Sequence, residues 1–332
     1  MCGIAGVLSR DPVPELEGVL HRMLAALRHR GPDDSGCEAV SAGDDGAVVL
    51  GSTRLAIQDT SPAGHQPMLD PETGNWILLN GEIYNHLDVR RALDGAGWRS
   101  RSDTETVLRA YARWGPACLE RLKGMFALAI WDRADRSLWC ARDRLGIKPF
   151  YYSAEPGRFV FASEVRALLA SALVPRRIDA RGLAGFVRFG SVPEPLTLVD
   201  GVQSLGAGEW IRVRGGRVTE TRTYWTAGPV DRLLGAPAAD VEKDLRERLA
   251  VSVREHLLAD VPVASFLSGG VDSTVVTGLA ASAAPGALQT FTVGFAEREL
   301  DESAAARAAA ARFGTDHREV RLADGEAAAL AP

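Results

Sequence analysis

Apolar positions along the chain follow two rhythms. Over residues 1–220, short apolar or alternating runs recur at 47–50, 76–79, 125–131, 137–141, 158–162 and 209–213, divided by Gly, Asp and Pro. That is the pattern of strands joined by turns. Two helices interrupt it: Leu16, Val19, Leu20, Met23, Leu24 and Leu27 share one face at helical spacing, and a second helix is predicted from Thr104 through Val107, Leu108 and Tyr111. The layout is α+β. From about Asp240 the rhythm changes to a helix ending at Leu258, a strand at 261–267, a Gly turn, a helix, a strand at 289–295, a helix to Phe313 and a strand near 318–322. Strand and helix in alternation predict a parallel α/β sheet. The Gly- and Pro-containing segment 226–237 reads as a linker, so the expected domains are 1–222 and 238–332.

Composition narrows the class. With 332 residues, 38 Lys plus Arg against 43 Asp plus Glu and 46% apolar content, the chain has the makeup of a two-domain soluble protein, which excludes disorder and collagen. A net charge of −5 without a basic run gives no field attractive to nucleic acid. The longest uncharged stretch, 273–296, contains Pro285 and three Gly, so no membrane span is expected. Residues 1–11 lack the basic flank and apolar core of an export signal. Four cysteines, Cys2, Cys37, Cys118 and Cys140, show neither disulfide density nor metal-ligand spacing, which points to a reducing cytoplasm. The last three read as packing residues.

Cys2 is different because of its position. If the initiator Met is removed, one carbon carries both a thiol, of ordinary pKa ~8.5, and an α-amine of ~7.7–8.0 that can take its proton. Position alone does not separate a nucleophile from an ordinary cysteine.

The company Cys2 keeps does. Cys2-Gly3-Ile4-Ala5-Gly6, His29-Arg30-Gly31-Pro32-Asp33, Arg54-Leu55-Ala56-Ile57, Ser61-Pro62-Ala63-Gly64-His65-Gln66-Pro67, Asn80-Gly81-Glu82-Ile83-Tyr84-Asn85 and Ser102-Asp103-Thr104-Glu105 resemble, in order and spacing, the class II glutamine amidotransferases. Their wording looks like the branch of glutamine-hydrolysing asparagine synthetases, and the run from Arg142 to Pro149 extends the likeness over about the first 220 residues. The resemblance implies an Ntn-hydrolase fold, with antiparallel sheets stacked between helices. It also implies Cys2 as nucleophile, Asn80 and Gly81 as oxyanion donors, and Arg54 and Asp103 on the head group of glutamine, with Leu55, Ile57, Gln58 and Glu82 nearby. Each residue also has a plain alternative. Asn80-Gly81 is a common two-residue hairpin turn, and Ser102 with Glu105 reads as a capping box that makes Asp103 a first-turn acid. Gln58 and Thr60 depart from the aliphatic residues usual in the family.

In the second domain, Ser268-Gly269-Gly270-Val271-Asp272-Ser273 joins a strand to a helix without the Gly-Lys-Ser/Thr of a Walker loop. It resembles the pyrophosphate loop of ATP-pyrophosphatase synthetases. By that likeness Ser268, Gly269, Gly270 and Ser273 would hold pyrophosphate, Asp272 would help bind Mg2+, and Leu267 and Val293 would flank the nucleoside of ATP. Asp272 as a plain helix N-cap is the alternative. The family's further Ser-Gly-x-Gly-x-Asp-Glu segment does not occur before Pro332, so an incomplete synthetase domain, retaining glutaminase activity, is expected. The implied small molecules are glutamine, aspartate and ATP, and the likeness allows a homodimer. A tailoring amidotransferase acting on another carboxylate and a non-catalytic relic share the same motifs.

Overall fold

Alternation along the strands sets the architecture. The structure, a computed structural model, describes residues 1–41, 46–93, 97–228, 235–284, 286, 288–297, 299 and 301–321. It divides into two compact units, Met1–Gly228 and Pro229–Pro332. The first begins with β1 (Gly3–Ser9), α1 (Leu16–Leu27), β2 (Asp34–Ser41), β3 (Ala47–Arg54), β4 (Met68–Leu69), β5 (Trp76–Ile83), α2 (His86–Ala92) and α3 (Asp103–Trp114). It continues with β6 (Gly124–Asp132), β7 (Ser137–Arg142), β8 (Tyr151–Glu155), β9 (Arg158–Ala162), α4 (Val165–Ala170), α5 (Ala180–Phe189), β10 (Gln203–Ser204), β11 (Glu209–Arg214) and β12 (Arg217–Thr223). Two six-stranded sheets result, in the orders β10-β8-β9-β1-β3-β2 and β12-β11-β7-β6-β5-β4.

Successive side chains on a strand point to opposite faces, and here both faces are covered. Ile4 and Leu8 of β1 and Val48 and Leu50 of β3 meet Leu78, Ala127, Ala129 and Ile211 in the gap between the sheets. Ala5, Val7 and Val49 turn the other way, onto Val19, Leu20, Met23 and Leu27 of α1. Ile77, Leu79 and Ile130 pack on Val107, Leu108 and Tyr111 of α3. The order is therefore helices, sheet, sheet, helices, the stacked α+β arrangement implied by the sequence. Burial on both faces is why the central strands read as continuous apolar runs rather than as alternation. Cys118 and Cys140 are fully buried and Cys37 partly so.

Helix α1 has the predicted ends. Strands β3 and β5 run beyond their apolar stretches, to Arg54 and Ile83, because backbone pairing continues where the side chains turn polar. Strands β1, β2, β8 and β12 and helices α2, α4 and α5 have no counterpart in the apolar pattern. Glycines interrupt β1, and β2 and β12 are polar, partly exposed edge strands.

The second unit contains α6 (Ala238–His256), β13 (Ala264–Phe266), α7 (Val271–Ala283), β14 (Gln289–Gly294), α8 (Ser303–Phe313) and β15 (Asp316–Arg321). Its three strands pair in parallel in the order β13-β14-β15, as alternation predicts. Strand β13 is shorter than the expected 261–267, and β15 starts earlier than 318, while Leu322 lies outside the described residues. Among the described residues its buried apolar cluster is small, Leu267, Ala306 and Ala310, and α6 buries none of its residues. Phe266 is 81% and Val271 80% exposed. No helix among the described residues is long and apolar enough to cross a membrane.

Local stability follows buried apolar contact. In native-state hydrogen exchange, amides of β5, β6 and β7 are expected to be protected by at least about tenfold more than those of β13–β15. Equal protection would show that the small cluster of the second unit is not what limits it.

Candidate active site

The polar ends of three strands converge. On β1 the face that carries Ile4 and Leu8 into the gap also carries Cys2, one residue before the strand; on β3 the face of Leu50 continues through Ser52 to Arg54; on β5 that of Leu78 continues through Asn80 to Glu82. Side chains read from separate motifs thus share one end of the gap between the sheets. The Cys2 thiol donates to the Leu55 carbonyl at 3.7 Å. The Cys2 carbonyl accepts from Arg30 Nε at 2.9 Å, and Arg30 Nη1 donates to Glu164 at 2.9 Å.

The outer edge of β5 supplies the donors. Gly81 pairs with Phe126 of β6, yet the Phe126 amide and carbonyl bond to Asp143 on the far side, at 3.1 and 2.8 Å. Gly81 therefore sits in a non-hydrogen-bonded pair, and its own N–H points off the sheet. Beyond its pairing with short β4, this edge meets side chains instead: Leu79 N–H donates to Gln66 Oε1 at 2.7 Å, and Ile83 N–H to Asp103 Oδ2 at 2.8 Å. Between them, no described side chain accepts from the Gly81 N–H. Beside it the Asn80 carboxamide is 0% exposed, and neither its Nδ2 nor its Oδ1 has a hydrogen-bond partner. Gly81 cannot carry a side chain, since an added Cβ would lie 2.3 Å from the Met125 carbonyl oxygen. Asn80-Gly81 is hence not a hairpin turn; both residues lie inside β5.

Arg54 and Asp103 are both buried. The Arg54 guanidinium donates to the Gln58, Asp59 and Ser61 carbonyls and so shapes the loop that follows β3. Asp103 opens α3 and ties it to β5 through Ile83. Ser102 caps the helix by accepting from Thr104 N–H at 3.2 Å. Glu105 accepts instead from the Arg99 and Ser100 amides, so the reciprocal half of the capping box is absent. Gln58 Nε2 donates to Glu82 Oε2 at 2.6 Å. Leu55 and Ile57 are partly buried, and Thr60 is exposed.

Burial is the first influence on every titrating group here. It raises the Cys2 thiol, against the Leu55 hydrogen bond and the nearby amino terminus. It pushes Glu82 up to about 8, with the charge of Asp103 adding to the rise and the Gln58 hydrogen bond opposing it. Asp103 rises to about 6 against the N–H groups of Ile83 and Thr104. Both carboxyls are thus held above the ordinary carboxylate range, each by burial first. Lys148, 6% exposed, is pulled down by burial and sits in the field of Glu82, Arg30 and Cys2. Sequence reasoning assigned no role to Arg30, Gln66 or Lys148; their only signal was membership of the motif strings.

In the second unit, Ser268–Ser273 links β13 to α7. Gly269 has φ +81°, and a Cβ there would lie 2.6 Å from that of Ala305. The Ser268 and Ser273 hydroxyls bond each other at 2.9 Å, Gly270 N–H donates to Ser268 Oγ at 3.4 Å, and the N-terminus of α7 has no side-chain cap. The N-cap is Gly270, and Asp272 is an exposed residue of the first turn, which excludes its capping alternative. Leu267 is buried against α8, its N–H donating to the Phe291 carbonyl at 2.8 Å and its carbonyl accepting from Thr292 Oγ1, whereas Val293 is 39% exposed. Among the described residues no group of three or more His, Cys, Asp or Glu could hold a metal.

Residues 1–225 match the family of glutamine amidotransferase domains, and residues 244–332 match that of asparagine synthase. The glutamine-hydrolyzing asparagine synthetase 1 of Bacillus subtilis (strain 168) is 35% identical over 328 residues, covering 96% of this chain and 49% of the relative. Amidase chry2 of Gibberella zeae is 33% identical over 349 residues, covering 97% of this chain and 51% of the relative. The chain spans about half the length of these curated relatives. Among solved structures, glutamine phosphoribosylpyrophosphate amidotransferase from B. subtilis, complexed with ADP and GMP, aligns with a TM-score of 0.50 at 15% identity, over 100% of this chain and 71% of that one. That likeness is one of fold alone.

The raised Glu82 carboxyl has a consequence for stability. The unfolded chain loses this proton near pH 4.5 and the folded chain only near 8, so its stabilising contribution is complete below the lower value and is lost as pH rises through the higher. Glu82→Gln is therefore expected to be more stable than the parent by on the order of 1–3 kcal/mol at about pH 8.5, with the gap closing towards about pH 4.5. Urea midpoints at the two pH values check this; a gap that does not widen with pH would refute it.

Proposed function

Because the chain belongs to the family of glutamine amidotransferases, we propose that it hydrolyses glutamine to glutamate and ammonia at Cys2. Loss of Met1, 58% exposed, frees the α-amine of Cys2. That amine takes the thiol proton, and Sγ attacks the side-chain amide carbon. Negative charge develops on the amide oxygen, where donors fixed in advance act most strongly. Asn80 Nδ2 and the Gly81 N–H supply them. Collapse expels ammonia, which carries away the proton held by the amine, and water then cleaves the thioester. Arg54 addresses the α-carboxylate, and Asp103 with Glu82 the α-ammonium; Leu55, Ile57 and the Gln58 backbone line the approach. The observation that carries this reading is the Asn80 carboxamide, fully buried and without a hydrogen-bond partner, beside the Gly81 N–H that points off the sheet. A buried polar group left unpaired costs about 1–3 kcal/mol, so its retention suits a site that bonds a ligand.

In the whole protein, ammonia passes to a second site, where ATP activates the aspartate side-chain carboxylate and ammonia displaces AMP to give asparagine. Gly269 and Gly270, with the Ser268 and Ser273 hydroxyls, suit a pyrophosphate group at the uncapped start of α7. The exposed carboxylate of Asp272 suits Mg2+, which is commonly held by one or two carboxylates together with phosphate oxygens and water. Leu267 and Val293 would border the nucleoside. The likeness to an enzyme named as an amidase favours a second reading, transfer of ammonia to a different carboxylate.

Glutamate release, measured after intact mass establishes loss of Met1, tests the first half. Cys2→Ala is expected to abolish release, and Asn80→Ala to lower kcat by about 10²–10³ while changing KM less. Full activity in Cys2→Ala would refute the reading. These 332 residues alone are expected to form little asparagine from aspartate, ATP and glutamine, and synthesis at the rate of hydrolysis would refute that part.

A further inference from the structure

Gln58 departs from the aliphatic type that the family resemblance implies, and it is buried, 8% exposed. Its carbonyl accepts from Arg54 Nη2 at 3.1 Å, and its Nε2 donates to Glu82 Oε2 at 2.6 Å. One residue thus touches both halves of the head-group site, the cation through its backbone and the carboxylate through its side chain. An aliphatic residue can make only the first contact. Thr60, the other departure, is exposed and has no part in this.

The second contact matters because Glu82 is in a place unfavourable to its charge. Asp103 of α3 repels it, and the Cys2 thiol ahead of β1 and the Tyr84 phenol lie in its field as well, while Lys148 and the chain's amino terminus favour ionisation electrostatically. A carboxamide N–H aimed at the carboxylate bonds best to the ionised form. It also fixes the direction in which the second oxygen points.

We propose that Gln58 is a positioning residue whose side-chain amide holds one oxygen of Glu82 and aims the carboxylate at the α-ammonium of glutamine, so that the pocket selects amides bearing a free α-amine. This rests on the glutaminase reading above. Gln58→Met keeps the side-chain length and removes the donor, and Gln58→Val installs the aliphatic type usual at this position.

The test measures kcat and KM from about pH 6.5 to about pH 9, with glutamine and with 4-carbamoylbutanoate, which is glutamine without its amine. Without the donor Glu82 ionises at higher pH, so KM for glutamine should rise about tenfold near neutrality and approach the parent value at the alkaline end, with a smaller change in kcat. Preference for glutamine over 4-carbamoylbutanoate should fall by a similar factor. In a Glu82→Gln background, Gln58→Met should have no further effect on KM. A KM rise that is equal at every pH, an equal loss for both substrates, or an undiminished effect in the Glu82→Gln background would show that Gln58 only packs and would overturn the proposal. Unchanged KM in both Gln58 variants would overturn it too, leaving the glutaminase reading intact. Absence of hydrolysis by the processed parent chain would overturn both.

Discussion

Everything at the site depends on the unpaired edge of β5. An antiparallel strand offers its N–H groups alternately to either side, and beyond β4 the outer side of β5 has no neighbouring strand. Such donors must be met by something. Gln66 takes the first and Asp103 the third, which fixes the loop after β3 and the start of α3 against the strand. The middle donor, Gly81, is left between them, with the Asn80 carboxamide beside it. Two structural hydrogen bonds thus define the place where a third can be made with a substrate oxygen.

The same convergence creates an electrostatic problem. Cys2, Glu82, Asp103, Arg30 and Lys148 come within each other's field at the end of the gap between the sheets, and burial disfavours the charged form of the thiol, both carboxyls and the lysine. A free amino acid brings a carboxylate and an ammonium of its own, so it would complete charges the folded chain leaves partly unmatched. On the proposed glutaminase reading, that complementarity would tie recognition of the head group to the protonation of Glu82 and Asp103. The second unit works differently. It offers backbone and hydroxyl groups at a glycine turn, with the exposed Asp272 in the first turn of the helix that follows.

Much was legible from residue order. Periodicity located α1, the central strands of the second sheet, β3 and β9 of the first, and the switch to alternating strand and helix, because burial of a face repeats with the geometry of the element. Motif order pointed to Cys2, Arg54, Asn80, Gly81, Glu82 and Asp103, of which Cys2, Arg54, Asn80 and Glu82 lie on faces lining the same gap. Apolar pattern ended β3 and β5 too early, since backbone pairing carries them on through Arg54 and Ile83. Asn80-Gly81 has the local preference of a turn, yet pairing with β6 keeps it extended.

The sequence by itself determined which segments are apolar on one face or both and where the chemistry-bearing residues stand; that only glycine fits at position 81 was decided by the close passage of β6, whose Met125 carbonyl would lie 2.3 Å from an added Cβ. Tertiary structure decided the partners: Gln66 on Leu79, Asp103 on Ile83, Gln58 on Glu82, and Arg30 on the Cys2 carbonyl. Those pairings join residues 13, 20, 24 and 28 apart in the chain. Local periodicity reports only whether a side chain leaves water. Which group it then meets depends on how the strands, loops and helices stack.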